Sequence, residues 1–256
     1  PLKPGNNRLN IQAIDAKDAI IEELTLDIYL PIESKAPLPT NLIEGETRWT
    51  LDQSPIMIDD TVIVSQSAVL TIDPDVQIRF TPQGKLIIRG QVKAIGKPDQ
   101  PIVFSSDPTA FWGGLTLETG AEVTLDHVII ERTTDNAISI DKASLTASNT
   151  TWRELRRRAI QATGASVTLQ DCRFQHIELS SVITITNQRQ TDPTTIVRCH
   201  FVGNDFGSPI VELIGETTEK ASSLLLDNEF QIRTGPALRL LGARSFVSGN
   251  RFIHKS

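Results

Sequence analysis

Six copies of one four-residue motif decide the fold of this chain: Asp126-His-Val-Ile129, Asn149-Thr-Thr-Trp152, Asp171-Cys-Arg-Phe174, Arg198-Cys-His-Phe201, Asp227-Asn-Glu-Phe230 and Gly249-Asn-Arg-Phe252. The last residues of successive copies are 23, 22, 27, 29 and 22 positions apart, which is the signature of an irregular repeat. A repeat of this length that recurs six times predicts a structure built by stacking similar units.

Each of the first five motifs is followed, eight or nine positions after its last residue, by a second pair of apolar residues. These pairs are Ile138/Ile140, Ile160/Ala162, Ile183/Ile185, Ile210/Leu213 and Leu238/Leu240. Two or three short alternating strands in about 22 residues cannot bury their own apolar face. The sequence therefore predicts an all-β parallel solenoid of eight or nine coils, and the crossover rule for parallel strands predicts a right-handed coil.

Alternation of side chains along a strand assigns a direction to each position of the motif. The fourth residue, which is aromatic in five copies, is expected inside, and the second residue then also points inward, which makes His127 an inner histidine. Stacked Asn or Cys at the second position can satisfy backbone groups left unpaired by a bend, or can pack as small hydrophobic residues. The first and third positions are expected outside, where Asp171, Arg198 and Asp227 alternate in sign from copy to copy, as do His200, Glu229 and Arg251.

The chain divides into three parts. Residues 1–30 contain two alternating segments, Leu9/Ile11/Ala13 and Leu24/Leu26/Ile28, which predict a β-hairpin. Residues 31–46 are rich in proline and predict an extended linker. Residues 47–256 are assigned to the solenoid, because short apolar strands separated by turn residues begin near Trp49 and continue into the repeat.

Two parts of the chain resemble known families. The stretch Val76-Gln-Ile-Arg-Phe80, the Gly-flanked strand 84–96, Pro101-Ile-Val-Phe104 and Trp112-Gly113 occur in the order seen in the parallel β-helix domains of large bacterial surface and secreted proteins. The Pro-Gly-Asn turn at residues 4–6 and the strands after it resemble the final hairpin of bacterial immunoglobulin-like modules. The first resemblance implies a pectate-lyase-like fold and an extracellular or cell-surface location, in a class that contains polysaccharide lyases and hydrolases, adhesins and domains without activity.

The composition of the chain argues against some classes of binding partner. The chain has 25 Lys and Arg against 31 Asp and Glu, a net charge of −6, which argues against nucleic-acid binding. The basic cluster Arg153, Arg156, Arg157 and Arg158 is interpreted as a solvated turn rather than as an anion or polysaccharide contact. No stretch reaches the roughly 18 apolar residues that a membrane span needs. The two cysteines, Cys172 and Cys199, are expected to be buried free thiols on adjacent coils.

The strongest case for an enzyme rests on Asp126 and Asp171. If both lie in one outward column two coils apart, their separation is about 9.6 Å, near the upper end of the range for an inverting glycosidase. The acidic and basic clusters that a calcium-dependent lyase needs are missing, and so is any motif for a cofactor or metal ion. We therefore expect no catalytic residues, with Asp126 and Asp171 as the candidates if there is catalysis, and no cofactor.

These observations favour a non-catalytic, elongated structural or interaction domain of a bacterial extracellular or cell-surface protein. Its partners are expected to be a polysaccharide or another surface protein, and the oligomeric state stays open. The alternatives are a polysaccharide-degrading enzyme and a glycan-binding adhesin domain that uses the outer face. Both ends of a solenoid expose strand edges, and the last motif is followed by no capping segment, so further coils or another domain are expected after it.

Overall fold

The computed structural model describes residues 5–14, 20–30, 41–188, 194–203, 207–215, 222–242 and 244–254. The chain forms two compact units, residues 1–35 and residues 36–256.

The first unit is a two-stranded antiparallel hairpin of β1 (Gly5–Ile14) and β2 (Ile20–Leu30). Leu9 faces Leu26 and Ile11 faces Leu24, so the predicted alternation places aliphatic residues on one side of the ribbon. Ile11, Leu24 and Leu26 are exposed. The hairpin predicted for residues 1–30 is confirmed, whereas its immunoglobulin-like origin stays a prediction.

The second unit consists of three parallel sheets, each with nine strands. Sheet 1 contains β3 (Leu42–Ile43), β6 (Thr61–Val64), β9 (Lys85–Ile88), β12 (Leu115–Leu117), β15 (Ile138–Asp141), β18 (Ile160–Thr163), β21 (Ile183–Gln188), β24 (Val211–Gly215) and β27 (Leu238–Leu241). Sheet 2 contains β4 (Glu46–Trp49), β7 (Val69–Ile72), β10 (Gln91–Ile95), β13 (Glu122–Asp126), β16 (Ser144–Ser148), β19 (Ser166–Gln170), β22 (Thr194–Val197), β25 (Ser222–Leu226) and β28 (Arg244–Ser248). Sheet 3 contains β5 (Ile56–Ile58), β8 (Gln77–Phe80), β11 (Ile102–Ser106), β14 (Val128–Glu131), β17 (Thr151–Leu155), β20 (Arg173–Ile177), β23 (His200–Val202), β26 (Glu229–Ile232) and β29 (Arg251–His254).

Each coil of the solenoid takes one strand from sheet 1, one from sheet 2 and one from sheet 3, so every strand pairs with the strand three places later in the chain. A single 3-10 turn, Leu51–Gln53, links β4 to β5. The predicted parallel β-helix is confirmed. Its first strand, β3, pairs with β6, so the first coil begins inside the range 31–46 that the sequence assigned to the linker.

A continuous row of aromatic rings runs along the inside of sheet 3. The ring centroids are 4.7 Å apart between Trp152 and Phe174, 4.7 Å between Phe174 and Phe201, and 4.9 Å between Phe201 and Phe230. Phe252 extends the row at 5.3 Å. The rings are nearly parallel because each occupies the same register position one rung further along, as the repeat predicted.

In the structure, the first copy of the motif lies one residue later than the sequence predicted. Ile130, not Ile129, pairs with Trp152 and is fully buried. Two consecutive isoleucines at positions 129 and 130 made both alignments compatible with an apolar fourth position. With the corrected register, Val128 occupies the inner position and is buried, and His127 moves to the corner outside, so its assignment as an inner histidine was wrong.

Candidate functional site

The corner between sheets 2 and 3 is built on a left-handed backbone residue in every coil from the fourth onward. His127, Asn149, Asp171, Arg198, Asp227 and Gly249 all have φ between 47° and 66°. One left-handed residue turns the chain sharply from one strand to the next, and Asn and Asp tolerate that conformation better than most residues. The corner fixes where the first residue of each motif projects, and it contains the predicted candidate Asp171.

Just inside this corner, polar side chains satisfy the backbone as the sequence predicted. Thr150 Oγ1 donates to Ser148 O at 2.8 Å, and Cys172 Sγ donates to Gln170 O at 3.3 Å. Asn228 Oδ1 accepts a hydrogen bond from Cys199 N at 2.8 Å. Each side chain replaces a strand partner that the bend removes.

Cys172 and Cys199 are buried free thiols, as expected. A hydrogen bond with Cys172, together with burial, raises the pKa of the Cys199 thiol well above its ordinary value. Because the thiolate is the reactive form, this cysteine is unsuited to act as a nucleophile.

Asp126 lies at the end of β13 and is surrounded by polar groups. Its Oδ1 accepts hydrogen bonds from Ser148 Oγ at 2.8 Å and Asn149 Nδ2 at 2.9 Å, and His127 Nδ1 is 3.1 Å away. Burial acts to raise the pKa of Asp126, but the bonds from Asn149 and Ser148 and the neighbouring His127 together hold it below its ordinary value. The carboxylate therefore stays ionised at neutral pH.

Asp171 is held by a two-pronged ion pair. Arg198 Nε and Nη2 donate to its two carboxylate oxygens, both at 2.8 Å. This hydrogen-bonded arginine is the main reason that the pKa of Asp171 is lowered, and Gln170 contributes a further bond. The alternation of Asp171 with Arg198 along the outside of the coils is thus confirmed.

The two carboxylates do not share a column. Asp126 pairs in register with Ser148 and, one rung further, with Gln170, so Asp171 follows that column by one residue. The shared column, on which the expected spacing of about 9.6 Å depends, is therefore wrong. The cause is the one-residue misalignment at Ile129 and Ile130. Neither carboxyl group has the raised pKa that a general acid needs at neutral pH.

A second charged ladder lies on the outer face of sheet 3. Glu229 Oε1 is 3.2 Å from His200 Nδ1, and Glu229 Oε2 is 3.4 Å from Arg251 Nη1. Gln231 Nε2 also donates to Glu229 at 3.3 Å. The predicted set of His200, Glu229 and Arg251 is confirmed as a group of neighbouring side chains in which Glu229 contacts both of the others.

Sheet 3 also carries a largely buried row of polar side chains that the sequence did not predict. Arg79, Ser105, Glu131 and Arg153 occupy successive outward positions of β8, β11, β14 and β17. Glu131 accepts bonds from Ser105 Oγ and Arg153 Nε, both at 2.7 Å, and is 6% exposed. With both oxygens bonded, Glu131 is a structural carboxylate.

The segment between β11 and β12, residues 107–114, is fastened beside this row. Trp112 Nε1 donates to Glu131 O at 2.8 Å, Ser106 Oγ donates to Ala110 O at 2.6 Å, and Arg132 Nη1 donates to Pro108 O. Trp112 also stacks on Phe80 with centroids 3.8 Å apart. These contacts give Trp112 a structural role.

The arginine cluster is not simply solvated. Arg153 binds Glu131, the guanidinium of Arg156 lies 4.1 Å from the ring centroid of Phe111, and Arg158 Nε donates to Thr184 Oγ1 at 3.0 Å. Three of its four arginines thus contact side chains of neighbouring segments of the protein. The sequence could not show this, because their partners lie on other coils.

Two of the surface cavities lie on the outer face of the described coils. One, of about 440 Å³, is lined at the corner between sheets 1 and 2 by Gln66, Arg89, Glu118, Thr119 and Asp141, with Arg89 Nε and Glu118 Oε2 2.7 Å apart. The other, of about 470 Å³, lies along the last coils of sheet 2 and contains Thr195, Leu224 and the 62% exposed Phe246. Trp49, Trp112 and Trp152 are all buried, and Phe246, which the sequence did not single out, is the most exposed of the Phe and Trp side chains that the structure describes.

Within the described ranges, no group of three or more His, Cys, Asp and Glu side chains could hold a metal ion. In the same part of the chain, no helix is long and apolar enough to cross a membrane. Comparisons with protein-family models, with curated proteins and with solved structures give no match to this chain.

Proposed function

We propose that this chain is a non-catalytic structural or interaction domain of a bacterial extracellular or cell-surface protein. The location follows the resemblance of its opening coils to surface β-helix domains. Protease added to intact cells of the source organism should cleave the protein if the location is correct. Protection until the cells are lysed would contradict it.

The main support for the proposal is that charged side chains on the outer surface pair with one another. Asp171 is held by Arg198, Glu229 by His200 and Arg251, and Glu118 by Arg89. Exposed pairs of this kind add little to stability, at most about 1 kcal/mol each. The pairing of Asp171 bears more on function, because Arg198 lowers the pKa of this carboxyl group and so makes it a poor proton donor.

The stacked coils give the solenoid unit the length and stiffness that a rigid spacer or an extended binding surface requires. Nine rungs about 4.8 Å apart give the solenoid unit an axial length of about 40 Å. Three hydrogen-bonded sheets and a continuous core make that unit stiff along its axis.

The proposal is tested by incubating the intact chain with a panel of acidic and neutral polysaccharides and measuring new reducing ends and unsaturated products. We expect no turnover by the wild type or by the Asp126→Asn/Asp171→Asn double variant. Turnover by the wild type that disappears in a folded double variant would refute the proposal and identify a glycan-cleaving enzyme.

Glycan binding is the second candidate, and it is supported by Phe246. An exposed aromatic ring beside hydroxyl groups and Arg244 offers an apolar surface and hydrogen-bond donors within one cavity. If this cavity binds glycans, Phe246→Ala should abolish saturable binding on a glycan array. Leu51→Ala, which removes another exposed apolar side chain, on the first coil, should leave binding unchanged.

A further inference from the structure

The cavity at the corner between sheets 1 and 2 is built by four successive coils in the first half of the solenoid. Its volume of about 440 Å³ lies within the range of small-molecule sites. All of its lining side chains are polar, and they come from the second to the fifth coil: Gln66, Arg89, Glu118 with Thr119, and Asp141. Each coil thus places one or two hydrogen-bonding groups around one depression on the outer surface.

The charges of this cavity do not balance. Arg89, Glu118 and Asp141 share one outward column, because the residues just before them are register partners in β9, β12 and β15. Arg89 Nε lies 2.7 Å from Glu118 Oε2, so this guanidinium offsets one carboxylate. Asp141 follows Glu118 one rung later, about 4.8 Å along the axis, and like charges on neighbouring strands destabilise each other. The column therefore carries one negative charge more than its own arginine offsets.

Asp141 is the carboxylate without a cation. Its Oδ2 accepts a hydrogen bond from Thr119 Oγ1 at 3.3 Å, and it takes part in no ion pair among the residues that the structure describes. Its register partner on the other side is Thr163, which is uncharged. Asp141 is exposed at the wall of the cavity, so a ligand can reach its carboxylate from solvent.

The lining has the chemistry of a site for a polar ligand with one positive charge. The amide of Gln66 and the hydroxyl of Thr119 can donate and accept hydrogen bonds, and Arg89 can donate them. The side chains of Arg89 and Glu118 are 47% and 42% exposed, so both remain accessible although they are paired. An acidic ligand would add a further negative charge. Within the described ranges, these carboxylates belong to no group that could hold a metal ion.

We propose that this cavity binds an amino-sugar unit of a polysaccharide. The ammonium group would lie between Glu118 and Asp141, and the ring hydroxyls would bond to Gln66, Thr119 and Arg89. Charge-assisted hydrogen bonds are the strongest of these contacts, and the ammonium group also removes the repulsion between the two carboxylates. Because the cavity lies on the outer face, the polymer can continue along the coils. The inference rests on the proposed function, since it names the ligand class for one surface of an interaction domain.

The probe for the experiment is a trimer of glucosamine. It is titrated into the intact chain by isothermal titration calorimetry, in a mildly acidic buffer in which its amines are protonated. We expect saturable binding, and about tenfold or more weaker binding of the N-acetylated trimer, which lacks the positive charges. A linear diamine, which has the charge but no sugar hydroxyls, should also bind about tenfold or more weaker. Equal binding of either comparison ligand would overturn the inference.

The matched protein variants are Asp141→Asn and Asp135→Asn. Both replace an exposed aspartate by its neutral isostere, but Asp135 lies outside the cavity. We expect Asp141→Asn to weaken binding of the glucosamine trimer about tenfold or more, and Asp135→Asn to leave it unchanged. Phe246→Ala, which alters the other cavity, should also leave it unchanged.

Three results would contradict the assignment of the ligand to this cavity. They are absence of saturable binding, unchanged binding by Asp141→Asn, and loss of binding in Phe246→Ala. Each of them would leave the proposed function in place. Polysaccharide turnover would instead refute the proposed function, and the effect of Asp141→Asn on binding of the trimer would still be measured separately.

Discussion

At the scale of the residue, Asn228 shows how one side chain can close a coil. It is 1% exposed, and it accepts a hydrogen bond from Cys199 N while its Nδ2 donates to Ile196 O at 2.9 Å and to Asn250 Oδ1 at 2.8 Å. Removing it leaves buried backbone groups without a partner, which costs about 1–3 kcal/mol for each group. The corner is therefore sensitive to the loss of this one carboxamide group.

We expect Asn228→Ala to lower the free energy of unfolding by about 2–3 kcal/mol, measured by urea denaturation. Thr146→Ala, on an exposed outward position of β16, serves as the control and should change it by less than about 0.5 kcal/mol. Equal losses in the two variants would show that the hydrogen bonds of Asn228 do not support the corner.

At the scale of the element, the turns between sheets 1 and 2 depend on backbone conformation. Lys142 has φ 48°, and its N–H donates to Thr163 O at 2.9 Å. In the next coil the equivalent residue is Gly164, with φ 54° and a bond to Thr186 O. A non-glycine residue in the left-handed region carries a strain of about 1–2 kcal/mol.

Lys142→Gly should therefore raise the free energy of unfolding by about 0.5–1 kcal/mol, because the relieved strain exceeds the entropy that glycine adds to the unfolded chain. Ser144→Gly, two residues later in the regular strand β16, should lower it by about 0.5–1 kcal/mol. The same denaturation experiment compares the two variants. A loss in both would mean that the turn is not strained at Lys142.

The elements also show what the sequence could and could not predict. The aromatic column from Trp152 to Phe252 was predictable, because a ring at one point of a repeat can be buried only by the next ring. The start of that column was not, because Ile129 and Ile130 satisfy the same pattern. The buried row of Arg79, Ser105, Glu131 and Arg153 is invisible in the sequence, since outward positions become buried only when another segment folds beside them.

The candidate site was predicted less well than the fold. Asp126 and Asp171 were each expected on the outside, and each is there, but their shared column was wrong. An error of one residue in a strand changes which side chains are neighbours on adjacent rungs. Partners such as Arg198 for Asp171 were foreseeable only where the repeat placed both residues at the same position.

At the scale of the whole molecule, stacked coils give a stability that varies along the solenoid axis. Strands β15, β16 and β17 pair on both sides, whereas β27, β28 and β29 pair on one side within the described residues. Because each coil depends mainly on its neighbours, the last coil should open without unfolding the rest.

Hydrogen exchange measured by mass spectrometry should therefore show faster exchange in β27–β29 than in β15–β17. Uniform exchange along all coils would indicate that the solenoid unit opens only as a whole.

The constant register of the coils also bears on how such a chain can change over generations. From Trp152 to Phe174, and again from Phe230 to Phe252, one full circuit takes 22 residues and returns to the same inner position. A gene segment encoding one circuit could therefore be copied in frame and would add a rung whose ring and corner residues already match those on either side. Coils of 27 and 29 residues between these show that extra residues can be accepted between strands while the rings stay stacked. The number of coils and the residues between the strands can thus change independently of each other, while the pattern of inner residues is kept.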